Sequence, residues 1–351
     1  MSLHAVTSVG ELAAALREHS AAGRRVRLSG RGTRSRFRAE DQPDTVALSL
    51  QSLATIERLE PDDLTCSVEP GVPCHVLAEA LQHKGLELGC LDADDQGSIG
   101  GLYASDPLGA AAPGSSSPRS TLLGLDGVLP EGLEFRSGAR VVKSVAGFDV
   151  HRLFVGSRGL LYAATLLHLK LRPAPRARAA FASEVVDAAT AVKKFIDLRR
   201  QPTMPRRLVL VRDESGCRVA GVFAGRAREV ASLLKQHTLR DCARAPHDHL
   251  PQPPAGHELV VGIVRPSKIE ALLRALPAGA PLLVHAGGQF ETVLLPMATD
   301  ALLAALPALE AHAAIALGVP SRVSMGTPLD VGASRLQRDL KTALDPKTVL
   351  A

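Results

Sequence analysis

Aromatic side chains are scarce in this chain. The 351 residues include no tryptophan, two tyrosines and eight phenylalanines, so aromatic residues make up only 3%. Proteins that bind single-stranded nucleic acid usually stack the bases on aromatic side chains. The composition therefore argues against a nucleic-acid partner, and it requires Leu, Val and Ala to fill the core.

Cysteines are few, and their spacing matches no paired-cysteine motif. The five of them are odd in number and never form a C-x-x-C pair: Cys66, Cys74, Cys90, Cys217 and Cys242. This pattern predicts neither a disulfide framework nor a zinc or iron-sulfur site. We therefore expect reduced thiols, no metal and a cytoplasmic location.

Long apolar runs and a signal-peptide pattern are also missing. No run approaches the ~20 apolar residues that cross a bilayer, and residues 1–10 lack the order of a signal peptide. We expect no direct membrane span, so that membrane association would come through a partner. The net charge is +5, and the densest basic patch, Arg199, Arg200, Arg206 and Arg207, is predicted to be a solvated loop rather than a phosphate-binding surface.

The length and composition indicate a large globular protein with two domains. Hydrophobic residues make up 46% of the chain and charged residues 22%, which supplies a core without disulfides. One compact domain rarely reaches 351 residues. Pro173 and Pro175 end an apolar strand, and we place the boundary there.

Helical and strand patterns alternate before the boundary. Ser8 and Glu11 form a capping-box pattern at the start of a helix, and a basic strand at 25–28 leads into a Gly-rich loop. Further strands are expected at 45–50, 55–59 and 64–68. A helix opening at 71–73 is predicted to bury Val76, Leu77, Ala80 and Leu81.

Beyond the boundary, strands and helices alternate densely, which is typical of a ferredoxin-like α+β sandwich. Strands are expected at 208–212, 218–223, 258–264 and 281–285, and helices at 188–198, 226–237 and 267–276. A long Ala/Leu helix is predicted over 299–317, kinked near Pro307, and a last amphipathic helix over 331–344.

A Gly-rich loop follows the basic strand. Gly30, Arg31, Gly32, Thr33, Arg34 and Ser35 offer two flexible glycines, two hydroxyls and two guanidiniums. Such a loop suits a pyrophosphate, which needs close backbone approach and charge-assisted hydrogen bonds. The loop matches neither phosphate-binding glycine motif in full, so an ordinary Gly/Arg turn remains the alternative.

Three more segments accompany this loop in a fixed order: 66–72, 97–101 and 142–157. Together they resemble the vanillyl-alcohol oxidase, or PCMH-type, family of FAD-binding flavoproteins, and within it the FAD-binding subunits of bacterial glycolate oxidase. Those subunits carry a Lys-Asn-Val-Ala-Gly-Tyr-Asp run, which here reads Lys-Ser-Val-Ala-Gly-Phe-Asp at 143–149. The closing Leu-Lys-x-x-Leu-Asp-Pro run of the family is matched at 340–346.

The resemblance implies a fold and a set of cofactor contacts. The fold is α+β: a PCMH-type two-subdomain FAD-binding domain at 1–174, a ferredoxin-like α+β cap at 175–325, and a C-terminal helix at 326–351 that returns to the FAD domain. The 30–35 loop would hold the pyrophosphate, Ser98, Ile99, Gly100 and Gly101 would line the flavin, and Gly156 and Gly159 would pass its edge. Because the 30–35 loop contains no histidine, we expect noncovalent FAD.

The resemblance also implies a function. The chain would be the FAD-binding oxidoreductase subunit of a glycolate-oxidase-like complex that oxidises a 2-hydroxy acid, with a sister flavoprotein subunit and an iron-sulfur subunit as partners. Tyr162 stands where the family has glycine, and the family's final Asn-Pro-Gly-Arg is missing. The alternative is therefore a non-catalytic scaffold or assembly subunit that has weakened or lost FAD binding.

Histidines add little at this stage. His247, His249 and His257 lie in a Pro-rich stretch without metal-ligand spacing, which indicates an exposed turn. His151 and His168 fit helix and strand patterns as structural side chains. No Ser/His/Asp set has a recognisable spacing, so the sequence identifies no catalytic residue.

Overall fold

The structure is a computed structural model that describes residues 3–34, 44–92, 95–105, 116–140, 149–242, 250–317 and 331–350. The strands are β1 Leu3–Ala5, β2 Arg25–Ser29, β3 Thr45–Ser49, β4 Ile56–Glu60, β5 Thr65–Val68, β6 Leu86–Glu87, β7 Leu122–Val128, β8 Glu134–Gly138, β9 Ala163–Lys170, β10 Arg172–Pro173, β11 Ala177–Ala182, β12 Arg207–Asp213, β13 Gly216–Gly225, β14 Arg240–Cys242, β15 Glu258–Ile263, β16 Leu282–His285, β17 Gln289–Leu294 and β18 His312–Leu317. The helices are α1 Val9–Ala21, α2 Cys74–Gln82, α3 Ile99–Ser105, α4 Pro118–Thr121, α5 Ala188–Arg199, α6 Ala227–Gln236, α7 Ile269–Ala275, α8 Pro296–Leu309 and α9 Val331–Leu344.

A small parallel sheet opens the fold. Its strand order is β1-β3-β2, and α1 packs against it. Ser8 caps α1 as the sequence predicts, because its hydroxyl accepts the Glu11 amide proton at 3.2 Å. The Glu11 carboxylate reaches back to the amide of Thr7 at 2.8 Å. The C-terminal end of the chain joins the same sheet, since Leu350 forms a parallel bridge with Val26.

A five-stranded antiparallel sheet follows, in the order β4-β5-β9-β7-β8. One of its faces packs on α2, which buries Cys74, Leu77 and Leu81. The prediction that Val76 is buried is wrong, because its side chain is 41% exposed. Val76 precedes Leu77 by one residue, which turns it about 100° away from the buried stripe.

The C-terminal sheet has eight strands in the order β14-β11-β13-β12-β16-β17-β15-β18. It consists of two successive βαββαβ units, β11 to β14 and β15 to β18, each with the ferredoxin-like strand order. The units join edge to edge where β12 pairs with β16 in antiparallel register, Val209 opposite His285. The sequence predicted the ferredoxin-like class, whereas the duplication became visible only in the topology.

The predicted helix over 299–317 is wrong in its second half. The helix α8 ends at Leu309, Glu310 adopts a left-handed conformation with φ of 50°, and the next residues form β18 on the edge of the C-terminal sheet. Ala and Leu favour helices locally, but pairing with β15 buries Ala314 and Ile315. Tertiary pairing thus overrides a weak local preference.

An ionic cluster joins the two halves of the molecule. Glu87 on β6 is nearly buried and binds Arg172 at 2.6 Å, together with Arg178 and Arg206. Arg207 pairs with Asp92 in the same region. The prediction that Arg206 and Arg207 lie in a solvated loop is therefore wrong, because carboxylates distant in sequence draw both side chains into the junction.

Within the described ranges, no helix combines the length and apolar character needed to cross a membrane.

Candidate functional site

Two predicted segments meet at the end of β2. The Gly30 backbone lies against Ser98, whose residue is 2% exposed, and a Cβ atom on Gly30 would stand 2.5 Å from the Ser98 hydroxyl oxygen. Gly30 O accepts a hydrogen bond from Gln51 Nε2 at 2.9 Å, and Arg31 Nε donates to Gln96 O at 2.9 Å. This close approach leaves no room for a side chain on Gly30.

Arg34 lies across the floor of this region. Its guanidinium pairs with Asp95 and covers Gly97 so closely that a Cβ atom there would overlap Arg34 Nη1. A Cβ atom on Gly101 would lie 3.7 Å from the same nitrogen. Arg34 Nη1 is buried and has no hydrogen-bond partner among the described residues. A buried guanidinium N–H without an acceptor is unfavourable, so an anion bound here would stabilise it.

The turn at 98–101, which opens α3, is held by hydrogen bonds from its backbone amides to the 70–72 segment. Ile99 N donates to Val72 O at 2.9 Å and Gly100 N to Pro70 O at 2.8 Å, while the Ile99 side chain is fully buried in the core. A Cβ atom on Gly100 would lie 2.6 Å from Pro70 Cβ. Gly100 is thus required by packing on Pro70, whereas the sequence reasoning attributed it to the flavin.

A third loop, 156–160, closes the same region. Gly156 N donates to Tyr103 O at 2.9 Å and Arg158 N to Ala104 O at 2.7 Å, which places this loop on the C-terminal end of α3. Gly159 has a φ of +77° and faces Leu28 on β2. Ser157 Oγ is buried and finds no partner within the described part of the chain.

The closing sequence run braces that loop. Lys341 Nζ donates to Leu160 O at 2.7 Å and to Leu350 O at 2.7 Å, and it pairs with Asp345 at 2.6 Å. The Asp345 carboxylate also accepts the amide protons of Val349 and Leu350, at 2.8 and 2.9 Å. This cluster ties α9, the chain end and the 156–160 loop together.

The environment of the site keeps nearby thiols and phenols protonated. Burial, more than the Asp95 carboxylate, raises the pKa of Cys74. Burial likewise raises the pKa of Tyr103, whose hydroxyl hydrogen-bonds Thr121 Oγ1 at 2.7 Å. Neither side chain is prepared to act as a nucleophile.

Most of the predicted site residues converge. The first segment follows β2 directly and consists of Gly30, Arg31, Gly32, Thr33 and Arg34. The second, Ser98 to Gly101, lies beside it. Gly156 and Gly159 border the same region. Ser35 and residues 143–148 of the Lys-Ser-Val-Ala-Gly-Phe-Asp run lie outside the described residues. Sequence reasoning missed Asp95, whose only signal is an acidic run at 92–95.

Tyr162 lies in an aromatic cluster of the core. Its ring centroid is 4.5 Å from that of Phe154 and 6.1 Å from that of Phe135, and the residue is 5% exposed. A Cβ atom on Gly127 would lie 3.0 Å from Tyr162 Cδ2. Gly127 therefore makes the space into which the Tyr162 ring packs.

Metal-ligand groupings are absent from the described ranges, where no cluster of three His, Cys, Asp or Glu side chains could hold an ion. His247 and His249 fall outside those ranges, and His257 is half-buried.

Comparison with known proteins bears directly on the region between the 30–35 loop, the 98–101 turn and the 156–160 loop. Residues 3–138 match the model of the FAD binding domain family. The match lies in the N-terminal part of the chain and covers less than half of its length. This match supports FAD as the cofactor, and the PCMH-type α+β fold expected from the sequence is confirmed.

Relatives in sequence are FAD-linked oxidoreductases. The chain is 31% identical over 149 residues to glycolate oxidase subunit GlcE of Escherichia coli, covering 42% of each chain. It is 33% identical over 131 residues to the mitochondrial cytochrome-type D-lactate dehydrogenase of Arabidopsis thaliana, covering 37% of this chain and 23% of the relative. The matches thus span less than half of these relatives.

The fold as a whole has solved counterparts. An alkyldihydroxyacetonephosphate synthase superposes with a TM-score of 0.68 at 14% identity, covering 99% of this chain and 75% of that one. This likeness extends the shared architecture to the C-terminal sheet.

The residues present fit FAD. Gly30 and Gly101 place backbone without a side chain at the region between the three loops. The buried Arg34 Nη1 and Ser157 Oγ supply polar atoms that have no partner in the described part of the chain. A diphosphate needs this combination of close backbone approach and charged donors.

Proposed function

We propose that the chain binds FAD noncovalently between the 30–35 loop, the 98–101 turn and the 156–160 loop. The observation that carries the proposal is the position of Arg34, whose buried Nη1 lies beside Gly97 and Gly101. The domains would be 1–174 for FAD, 175–325 for the cap, and 326–351 for the returning C-terminal helix.

Each segment has a role in this proposal. Gly30 and Gly32 allow the backbone to approach the pyrophosphate, and Arg31, Thr33, Arg34 and Ser35 donate hydrogen bonds to it. Ser98, Ile99, Gly100 and Gly101 form the wall along the flavin. Ile99 and Gly100 contribute only backbone to it, because the Ile99 side chain points into the core and Gly100 packs on Pro70. Gly156 and Gly159 border the cofactor edge. The loop offers no histidine for a covalent flavin link.

We further propose that the chain serves as the FAD-binding subunit of a glycolate-oxidase-like complex that oxidises a 2-hydroxy acid. FAD, when bound, accepts the two electrons released as the hydroxy acid becomes a 2-oxo acid. A sister flavoprotein subunit and an iron-sulfur subunit would pass the electrons on, in the cytoplasm or at a membrane reached through a partner. The names of relatives, glycolate oxidase subunits GlcE and GlcD, support this assignment.

A matched pair of glycine variants tests the FAD site. Gly32 has a φ of +75° and Gly279, in the C-terminal sheet region, a φ of +73°, and neither has a neighbour within 4 Å of a built Cβ. Gly32→Ala and Gly279→Ala therefore carry the same backbone strain, about 1 kcal/mol, but only the first projects a methyl group into the proposed pyrophosphate site. We expect Gly32→Ala to lose flavin absorbance and Gly279→Ala to retain it.

Equal flavin content in the two variants would refute the site. Loss of flavin in both would mean that strain, rather than the methyl group, is responsible. Circular dichroism checks that each variant is folded.

The complex is tested separately. Co-expression with a sister flavoprotein and an iron-sulfur protein, followed by affinity purification of this chain, should recover a stable assembly that oxidises 2-hydroxy acids. Full dehydrogenase activity from this chain alone would contradict the subunit role. Bound FAD without any partner or activity would leave the cofactor site intact and refute the complex.

A further inference from the structure

Ser67, His168 and Asp126 lie side by side on the face of the five-stranded sheet that points away from α2. Ser67 on β5 pairs in register with His168 on β9. On the other side of β9, His168 pairs with Gly124 of β7 and Leu166 pairs with Asp126, so Asp126 reaches His168 diagonally, at 3.6 Å. Ser67 and His168 are 101 residues apart in sequence, so only the fold brings the set together. Both are buried, with 4% and 5% of their surface exposed.

The three side chains form a continuous polar relay. Ser67 Oγ lies 2.9 Å from His168 Nδ1, and His168 Nε2 lies 3.6 Å from Asp126 Oδ1. Asp126 Oδ2 in turn pairs with Arg136 Nε at 3.1 Å. With its proton on Nε2, facing the carboxylate, the neutral imidazole accepts the Ser67 hydroxyl proton at Nδ1. This is the serine–base–carboxylate order of acyl-transfer enzymes, with the two ring nitrogens exchanged.

Burial keeps the imidazole in its basic form. Desolvation, followed by the charge of Arg140, lowers the pKa of His168, and the Asp126 carboxylate opposes this shift. The ring is therefore neutral near pH 7, the state that a general base must have before it takes a proton.

Irregularities in the sheet surround the same three residues. The register between β4 and β5 shifts at Ile56/Arg58, opposite Ser67. The register between β7 and β9 shifts at Leu122/Gly124, opposite His168, and again at Asp126/Gly127. A β-bulge re-aims side chains and interrupts the backbone ladder, and bulges concentrate beside active sites. All three shifts lie at residues that pair with or include Ser67, His168 or Asp126.

Ser67 also opens onto a cavity. The cavity has a volume of about 130 Å³ and is bordered by Arg58, Glu60, Asp63, Thr65 and Arg140 in addition to Ser67. Arg58 is held by Glu60 at 2.6 Å. Guanidinium groups beside a serine hydroxyl can stabilise the negative charge that develops on an attacked carbonyl oxygen.

We propose that Ser67 is an acyl-accepting nucleophile for small carboxylic esters, with His168 as its base and Asp126 as the residue that positions His168. The Ser67 oxygen bonds to the ester carbonyl carbon while its proton passes to His168 Nδ1. The bond to the leaving alkoxide then breaks, and the alkoxide takes that proton. Water next attacks the serine ester and gives a proton to His168, the carboxylic acid leaves, and Ser67 recovers its proton. This activity uses neither FAD nor the loops that border it.

Covalent labelling tests the nucleophile directly in the full chain. A fluorophosphonate probe should form one adduct, with loss of fluoride, on the tryptic peptide that contains Ser67, as identified by mass spectrometry. Ser67→Ala should abolish the adduct and His168→Gln should slow its formation at least tenfold. Ser137→Ala is the matched control, because Ser137 lies on β8 of the same sheet and its hydroxyl accepts only the His151 amide proton, at 3.0 Å, among the described residues.

Hydrolysis of p-nitrophenyl acetate provides the second readout. The wild type and Ser137→Ala should release p-nitrophenol with an initial burst, and Ser67→Ala should show neither the burst nor turnover. A wild type that forms no adduct with excess probe would overturn the proposal and make Ser67–His168 a structural hydrogen bond. Equal labelling rates for wild type and His168→Gln would overturn it as well.

Discussion

Asp345 should contribute strongly to the stability of the folded protein, because it is the acceptor that holds Lys341 and the chain end. Its side chain is fully buried and carries three interactions: an ion pair with Lys341 and hydrogen bonds from the amides of Val349 and Leu350. In Asp345→Ala the two amides and the ammonium group lose their acceptor together. Removing one partner of a buried ion pair costs about 3–5 kcal/mol.

Urea denaturation followed by circular dichroism measures this loss. With a denaturant slope of about 2 kcal/mol per M, the midpoint should fall by about 1.5–2.5 M. Asp345→Asn should also destabilise, because its amide group turns a donor toward Lys341 Nζ or a backbone N–H. Lys347→Ala is the control in the same segment, since Lys347 meets Glu131 only at 3.9 Å on an exposed surface and should change stability by less than about 1 kcal/mol.

A urea midpoint for Asp345→Ala within about 0.5 M of the wild type, a difference of about 1 kcal/mol at that slope, would contradict this role of Asp345. Such a result would mean that water or a rearranged tail replaces the carboxylate. Asp345 would then have no role in holding Lys341 and the chain end.

Three further predictions concern other parts of the molecule. Tyr162→Ala should destabilise the protein by about 3–5 kcal/mol because the ring packs on Phe154 and Phe135, while Tyr162→Phe keeps those contacts, and urea midpoints that are equal for both variants would contradict this. Glu87→Ala should speed tryptic cleavage near Arg176 and Arg178 because the junction then holds unpaired guanidiniums, whereas Glu184→Ala, which breaks an exposed pair with Arg240, should not. Burial lowers the pKa of His151 in the folded state, so the unfolded chain binds its proton first. The contribution of neutral His151 to stability is complete above pH about 6.5 and is lost as the pH falls through the lowered pKa of the folded state. His151→Gln should therefore flatten the acid side of the stability–pH curve. An unchanged curve would contradict this role of His151.

Local patterns predicted the elements that depend on local signals. The Ser8 cap, the helix at 331–344 and the strands before and after Pro61 follow from capping, amphipathic spacing and turn residues, and the structure confirms them. The strand at 312–317 was missed because its Ala-rich sequence suits a helix equally well. Only the partner strand β15, about 50 residues earlier, decides between the two.

The candidate site likewise contains residues that local patterns predict and residues that only distant partners define. Gly30 and Arg34 were predicted from a glycine- and arginine-rich loop after a strand, but Asp95 was not, because an acidic residue in a loop carries no sign of its partner. The environment of Arg206 was predicted wrongly for that reason: its partner Glu87 lies 119 residues away. The Ser67–His168 pair was missed because strand register, rather than spacing along the chain, creates it.

Titration of the purified chain with FAD tests the central claim most directly. The protein is freed of any flavin and FAD is added, and binding is followed by quenching of flavin fluorescence. The account predicts saturation at one FAD per chain, a yellow protein after gel filtration, and release of all the flavin on denaturation, since no covalent bond holds it. Absence of saturation at millimolar FAD, in a chain that circular dichroism shows to be folded, would contradict the claim and support a scaffold that has lost its cofactor.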